Sequence, residues 1–220
     1  MKKLFVILMA ALFVLPMSSV STQLEAKNPF AKELEKQRKK QYKTKIKEYQ
    51  KEGWKIFGST NSVDVALLEH YNELFEKGDK VYELAGIASK FKSKNVGKQM
   101  ALNNACVTYA QSAKSYVQGR VTSDMAGDGV HADNEFDHFY AAYERLVAAE
   151  IKGELKESYA IIRDLKDGTF EMQVYYIVDQ ERAAKIRENA MEQAMKETKM
   201  AQKHAEEISN FIREGFNEYQ

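Results

Sequence analysis

The chain has few of the residues that build covalent or metal frameworks. Its 220 residues include one cysteine, two prolines and four histidines. One cysteine cannot form an internal disulfide, so the stability of the fold must come from packed side chains. Little proline and 11% aromatic residues exclude collagen-like, mucin-like and generally disordered chains. Cys106 has no histidine or lysine at helical spacing, which predicts a small buried hydrophobe instead of a reactive thiol.

Apolar runs long enough to span a bilayer are also missing. The longest run, Leu4 to Leu15, follows two lysines and ends at a proline. A charged start, a short apolar core and small residues beyond it predict a secretory signal peptide over residues 1–26, cleaved after Ser21 or Ala26. The alternative is an uncleaved anchor, although the run is short for a bilayer. We expect an exported protein that is periplasmic or outer-membrane associated.

Positive charge is concentrated near the start of the mature chain. Residues 27–55 contain eleven lysines and arginines but only four glutamates, whereas the net charge of the whole chain is +1. Pro29 before this segment and Gly53 after it predict a basic helix over 27–52. Such a helix is most simply a solvated, charged element. Its alternative role is contact with an anionic membrane surface or an acidic partner. No nucleic acid is expected, since the protein is exported.

The central region, residues 53–178, predicts an α+β domain with a small antiparallel or mixed sheet and helices packed on one face. An Asp-Gly pair between two period-two patterns gives the clearest signal, a β-hairpin. His70 is expected to be a partly buried core histidine and not a ligand. The predicted elements are a short strand at 53–58, a helix at 63–77, a strand at 81–91, an alanine-rich helix from Asn95, a weak strand at 117–123, an aromatic-rich helix ending near Ile151, and hairpin strands at 155–162 and 170–178.

The segment 179–220 predicts a long C-terminal helix. Small and apolar residues recur along it at alternating gaps of three and four, which is a heptad-type pattern. This seam consists of Met191, Ala194, Thr198, Ala201, Ala205, Ile208, Ile212 and Gly215. Two interpretations stay open: packing within the chain, or a protein partner or self-association through the Met191–Gly215 seam.

Candidate metal ligands occur in one stretch. Acids and imidazoles lie close together there, at Asp128, His131, Asp133, Glu135, Asp137 and His138. The spacing matches neither a calcium-binding loop nor a zinc-protease helix, and capping explains acids at a helix start. We therefore predict no metal, no cofactor and no catalytic residue.

Sequence motifs for catalysis are missing too. The chain has no glycine-rich phosphate loop, no nucleophile elbow and no CxxC pair. A non-enzymatic protein is the expectation. Because triads assemble in space, the alternative is an extracytoplasmic ligand-binding protein or enzyme with a pocket beside the sheet.

A resemblance supports the non-enzymatic expectation. The strand residues 82–88 are followed by a helix with small residues, a polar loop and a late valine-rich strand at 174–178. In this order they resemble small bacterial outer-membrane lipoproteins whose α/β domain also forms the N-terminal domain of a flagellar ring-assembly protein. The resemblance covers roughly residues 80–180, but this chain lacks the lipidation cysteine and adds helices at both ends. It implies a bacterial cell-envelope protein with a structural or protein-interaction role, and it transfers no catalytic residues. The residues that carry the resemblance in the helix are Ala101, Asn104, Ala105, Cys106, Tyr109, Ala110 and the segment 117–121.

Overall fold

The computed structural model describes residues 30–125 and 133–198, in which five helices and four strands follow one another. A short 3₁₀ turn, Gly78–Lys80, joins α2 to β2. No helix in these two ranges combines the length and apolarity needed to cross a membrane. The helices are α1 (Ala31–Glu52), α2 (Val63–Lys77), α3 (Lys94–Met125), α4 (Asp133–Ile151) and α5 (Gln180–Glu197), and the strands are β1 (Lys55–Phe57), β2 (Val81–Phe91), β3 (Lys156–Asp164) and β4 (Phe170–Asp179).

The four strands form one antiparallel sheet in the order β1-β3-β4-β2. The predicted hairpin lies at its centre, and its loop spans residues 165–169. Gly168 takes a φ of +78° in this loop, a conformation that glycine adopts without strain. The α+β class and the antiparallel sheet are confirmed.

One face of the sheet carries the larger core and is called here the alanine face. It is covered by α3, α4 and α5, and the buried side chains of α3 are mostly alanines. Helix α3 therefore approaches β2 closely: a Cβ added at Gly86 would overlap the carbonyl oxygen of Ala101. The Asn104 amide also donates to the carbonyl oxygen of Ile87 at 2.6 Å, which holds α3 against the sheet edge. The alanine-rich and aromatic-rich helices share this face, as the sequence predicts.

The opposite face also carries helices and is called the tyrosine face. Helices α1 and α2 cover it with a smaller core that includes Tyr49, Leu67, Tyr159 and Tyr175. The predicted fold has helices on one face only, so this second layer of α1 and α2 is a correction: both faces of the sheet carry apolar or aromatic side chains that a helix must cover. The sequence of β4 nevertheless distinguishes the two faces of the sheet, because its apolar side chains alternate with more polar ones such as Tyr175.

The weak strand predicted at 117–123 is wrong, because α3 continues without interruption to Met125. Val117 is fully buried together with Ala110 and Ala113. Their spacing of three and four residues places these side chains on one side of a helix, where the alanine-face core holds them. Tertiary packing thus outweighs the local β pattern, and Gly119 lies in the helix without a close neighbour among the described residues.

Helix α5 is the described part of the predicted C-terminal helix. Met191 and Ala194 of the seam are buried in the alanine face, beside α4. The helix ends at Glu197, and the Thr198 hydroxyl donates to the carbonyl oxygen of Ala194 at 2.9 Å. In this part the seam packs within the chain. The remaining seam residues lie outside the described residues, so association through them stays a prediction.

Candidate functional site

A histidine with two polar partners lies buried beneath α2 on the tyrosine face. The imidazole of His70 is fully buried. Its Nδ1 is 2.9 Å from the Oγ of Ser158 on β3, and its Nε2 is 2.5 Å from the Oε2 of Glu83 on β2. The consecutive elements α2 and β2, together with the distant strand β3, therefore bring a serine, an imidazole and a carboxylate into one hydrogen-bonded line.

Local sequence explains how these side chains are positioned. Helix α2 starts at its N-cap Ser62, whose Oγ accepts from the backbone N–H of Val65. Leu67 is buried against the sheet, and His70 lies one turn later on the same side. Ser158 lies at a β-bulge, where the register between β3 and β4 shifts. The extra residue of a bulge re-aims a side chain, which brings the Ser158 hydroxyl to the α2 side.

The partners fix which ring nitrogen carries the proton. A carboxylate only accepts hydrogen bonds, so the bond to Glu83 requires Nε2 of His70 to donate. In the neutral imidazole Nδ1 then has a free lone pair, and it accepts from the Ser158 hydroxyl. With a neutral imidazole the line runs in the direction in which a base removes a proton from the serine, whereas a protonated imidazole would donate from Nδ1 to the serine oxygen.

Stacked and hydrogen-bonded tyrosines surround the imidazole. The rings of Tyr159 and Tyr175 stack with centroids 4.5 Å apart, and the His70 ring meets Tyr159 edge-on at 5.2 Å. The Tyr49 hydroxyl is 3.1 Å from the hydroxyls of both tyrosines, and Tyr175 donates to Gln173. Burial raises the pKa of Tyr49 to about 12 and raises the pKa values of Tyr159 and Tyr175 as well. These phenols stay neutral at physiological pH and hold the imidazole in a fixed orientation.

Ser158 also lines a cavity of about 270 Å³ beside the sheet. The half-buried serine therefore connects the buried histidine to open space. Lys98 on the cavity wall pairs with Glu157 at 2.8 Å, and the Asn61 amide donates to Glu69 at 3.3 Å. The remaining lining residues are Phe57, Gly58, Ser59, Ala66, Tyr159 and Ala160.

A second polar feature is the lysine face of α1. Seven exposed lysines recur at helical spacing on about a third of the helix circumference. The glutamates of α1 lie at the edge of this arc or outside it. Tyr42, Ile46 and Tyr49 occupy another side of the helix and pack on the tyrosine face. The lysine face consists of Lys32, Lys36, Lys39, Lys40, Lys43, Lys47 and Lys51.

The candidate cation ligands are not brought together in the part of the chain that the structure describes. Asp128 and His131 lie outside it, and Asp133 and Glu135 belong to the first turn of α4. Asp137 and His138 are exposed on α4. Within residues 30–125 and 133–198, no group of three or more His, Cys, Asp or Glu side chains is placed to hold a metal ion. Cys106 is buried, and burial raises the pKa of its thiol.

Comparisons of the chain with protein-family models, curated proteins and solved structures found no match.

The candidate site around His70 could be predicted only in part from the sequence. His70 is a core histidine, as predicted, but it is fully buried instead of partly buried, and its partners were missed. His70 and Ser158 are 88 residues apart along the chain, and the contact depends on a bulge in β3. Alternation of residues in β3 does not place Ser158 on the α2 side.

Proposed function

We propose that the chain is an exported bacterial cell-envelope protein with a structural or interaction role, held against an anionic membrane surface by the lysine face of α1. The observation that supports this proposal most directly is the arrangement of seven exposed lysines on one side of a helix. The predicted signal peptide at residues 1–26 would export the protein to the cell envelope, where it could reach an anionic membrane surface.

The charges of this face suit a negatively charged surface. A lysine close to an anionic leaflet contributes about 1 kcal/mol of binding free energy. Lys36 and Lys39 form exposed ion pairs with glutamates of the same helix, which solvent screens strongly. The other five lysines form no ion pair with any residue that the structure describes. Their charge is available to lipid phosphates.

The position of α1 in the fold leaves this face accessible. Residues 32–41, the first turns of α1, are exposed, and packing against the core of the tyrosine face begins at Tyr42, whose hydroxyl donates to the carbonyl oxygen of Asp64 in α2. The exposed apolar residue Leu34 lies on a different side of the helix from the lysines. Binding is therefore expected to be electrostatic adsorption and not insertion, so it should weaken strongly with salt.

The experiment is sedimentation of the purified protein with phosphatidylglycerol vesicles at low and high salt. Phosphatidylcholine vesicles supply the uncharged comparison. Replacing Lys40, Lys43 and Lys47 by glutamine removes three charges from the face, and the expected loss of affinity is on the order of a hundredfold.

A matched control removes the same charge elsewhere. Lys80, Lys92 and Lys152 are exposed and lie outside α1, so their replacement by glutamine should leave vesicle binding within about threefold of the unmodified protein. Equal losses in both triple variants would mean that only net charge matters. Binding that does not distinguish phosphatidylglycerol from phosphatidylcholine would reject the proposal.

A further inference from the structure

We propose that Ser158 is the nucleophile of a hydrolytic site for small carboxylic esters, with His70 as its general base and Glu83 as the residue that positions the imidazole. This activity goes beyond the surface-binding role and does not depend on it. It develops the alternative function named in the sequence analysis, an extracytoplasmic enzyme with a pocket beside the sheet.

The hydrogen-bonded line has the roles that an activated serine needs. Ser158 Oγ lies 2.9 Å from Nδ1, and the carboxylate of Glu83 lies 2.5 Å from Nε2 of His70. The three roles of nucleophile, base and orienting acid define a triad whatever the fold or the order along the chain. Stacked tyrosines fix the ring plane, which keeps Nδ1 aimed at the serine.

The three residues of the hydrogen-bonded line differ in their accessibility to solvent. His70 is fully buried, whereas Ser158 is half-buried on the cavity wall. The side chain of Glu83 is 39% exposed, but of the three residues only Ser158 lines the cavity. A bulge is needed to bring this hydroxyl to the α2 side, and bulges are frequent next to active sites.

The chemistry would proceed in two balanced steps. In the first, Ser158 Oγ forms a bond to the ester carbonyl carbon while its proton passes to Nδ1 of His70, and the bond to the alkoxy oxygen breaks as that proton is given to the leaving alcohol. In the second, water loses a proton to His70 and attacks the acyl-serine, which releases the carboxylic acid and restores the serine hydroxyl. No oxidant, metal or further reactant is required.

The cavity limits the substrate class. A volume of about 270 Å³ is at the small end of ligand sites, so a short acyl group fits better than a long chain. Lys98 and Asn61 line the cavity together with their partners Glu157 and Glu69, so its wall is polar and suits a polar ester.

The test is covalent labelling of the purified protein with a fluorophosphonate bearing a fluorophore, followed by peptide mass spectrometry. The serine oxygen displaces fluoride from phosphorus, so no natural substrate has to be known. We expect one label per chain, on Ser158, and none in Ser158→Ala. His70→Gln should slow labelling by about a hundredfold or more, which is the usual contribution of a general base.

Three further variants separate reactivity from folding. Ser112→Ala changes an exposed serine on α3 whose Oγ bonds only to its own helix, so it should label at the unmodified rate. Glu83→Gln should slow labelling, and the conservative Glu83→Asp should restore part of the rate, which a merely structural carboxylate would not do. Melting curves show whether each variant is folded. An unlabelled native protein, or equal labelling of Ser158→Ala, would overturn the proposal.

Discussion

The two faces of the sheet are built from different chemistry. The alanine face has the larger core, in which small and aliphatic side chains pack with phenylalanines and tyrosines under three helices, and the backbones of α3 and β2 approach each other closely. The tyrosine face has a smaller core in which Tyr49 bonds to two further tyrosines, and a buried histidine beside them bonds to Ser158 and Glu83. Buried polar groups are costly unless each has a partner. The first face therefore holds the fold together, and the second is where a proposed activity and a proposed surface contact lie.

The sharpest way to test the role of the alanine face is Gly86→Ala. The new Cβ would overlap the carbonyl oxygen of Ala101, and backbone on both sides cannot move aside easily. We expect a loss of about 3 kcal/mol or more in the free energy of unfolding, measured by urea denaturation.

Gly119→Ala is the matched control for that change. No described atom lies within 4 Å of a Cβ at this helical position. Alanine should stabilise α3 by up to about 1 kcal/mol. If Gly86→Ala were as well tolerated as Gly119→Ala, the close approach of α3 to β2 would not be a determinant of stability.

Alkaline pH should weaken the tyrosine face. The pKa values of Tyr49 and Tyr71 are raised by burial to about 12, above the ordinary value of 10. Stability from such groups is fully present below pH 10 and is lost as pH rises towards 12, because the unfolded chain ionises first. Two pKa units correspond to about 3 kcal/mol for the buried Tyr49 and to less for Tyr71, which is partly exposed to solvent. Denaturation from pH 8 to 12 should therefore show a smaller loss in the double variant Tyr49→Phe and Tyr71→Phe than in the unmodified protein, and equal losses would contradict this cause.

A pair of Tyr→Phe changes compares the two faces directly. Tyr49→Phe removes the hydrogen bonds of Tyr49 to Tyr159 and Tyr175, so it should lower the free energy of unfolding by about 1 to 2 kcal/mol. The Tyr143 hydroxyl on the alanine face is buried and has no hydrogen-bond partner among the described residues. Tyr143→Phe should then be neutral or slightly stabilising in the same denaturation experiment. The reverse order would mean that the tyrosine hydrogen bonds are not what stabilises that face.

The sequence predicts the elements better than their arrangement. The hairpin, the capped start of α2 and the strand at 81–91 follow from local patterns, and each is present within a few residues of its predicted bounds. The extension of α3 through Val117 could not be predicted locally, because burial against another helix outweighs β propensity there. The line from Ser158 through His70 to Glu83 could not be predicted either, since it joins three elements and depends on a bulge.

The most direct test of the central claim is cell fractionation of the native producer with N-terminal sequencing, comparing the unmodified protein with the variant that replaces Lys40, Lys43 and Lys47 by glutamine. We expect the unmodified protein in the envelope membrane fraction, beginning just after Ser21 or Ala26, and the variant in the soluble extracytoplasmic fraction. Recovery of the chain from the cytosol with residues 1–26 still attached, or identical partitioning of the two proteins, would contradict it.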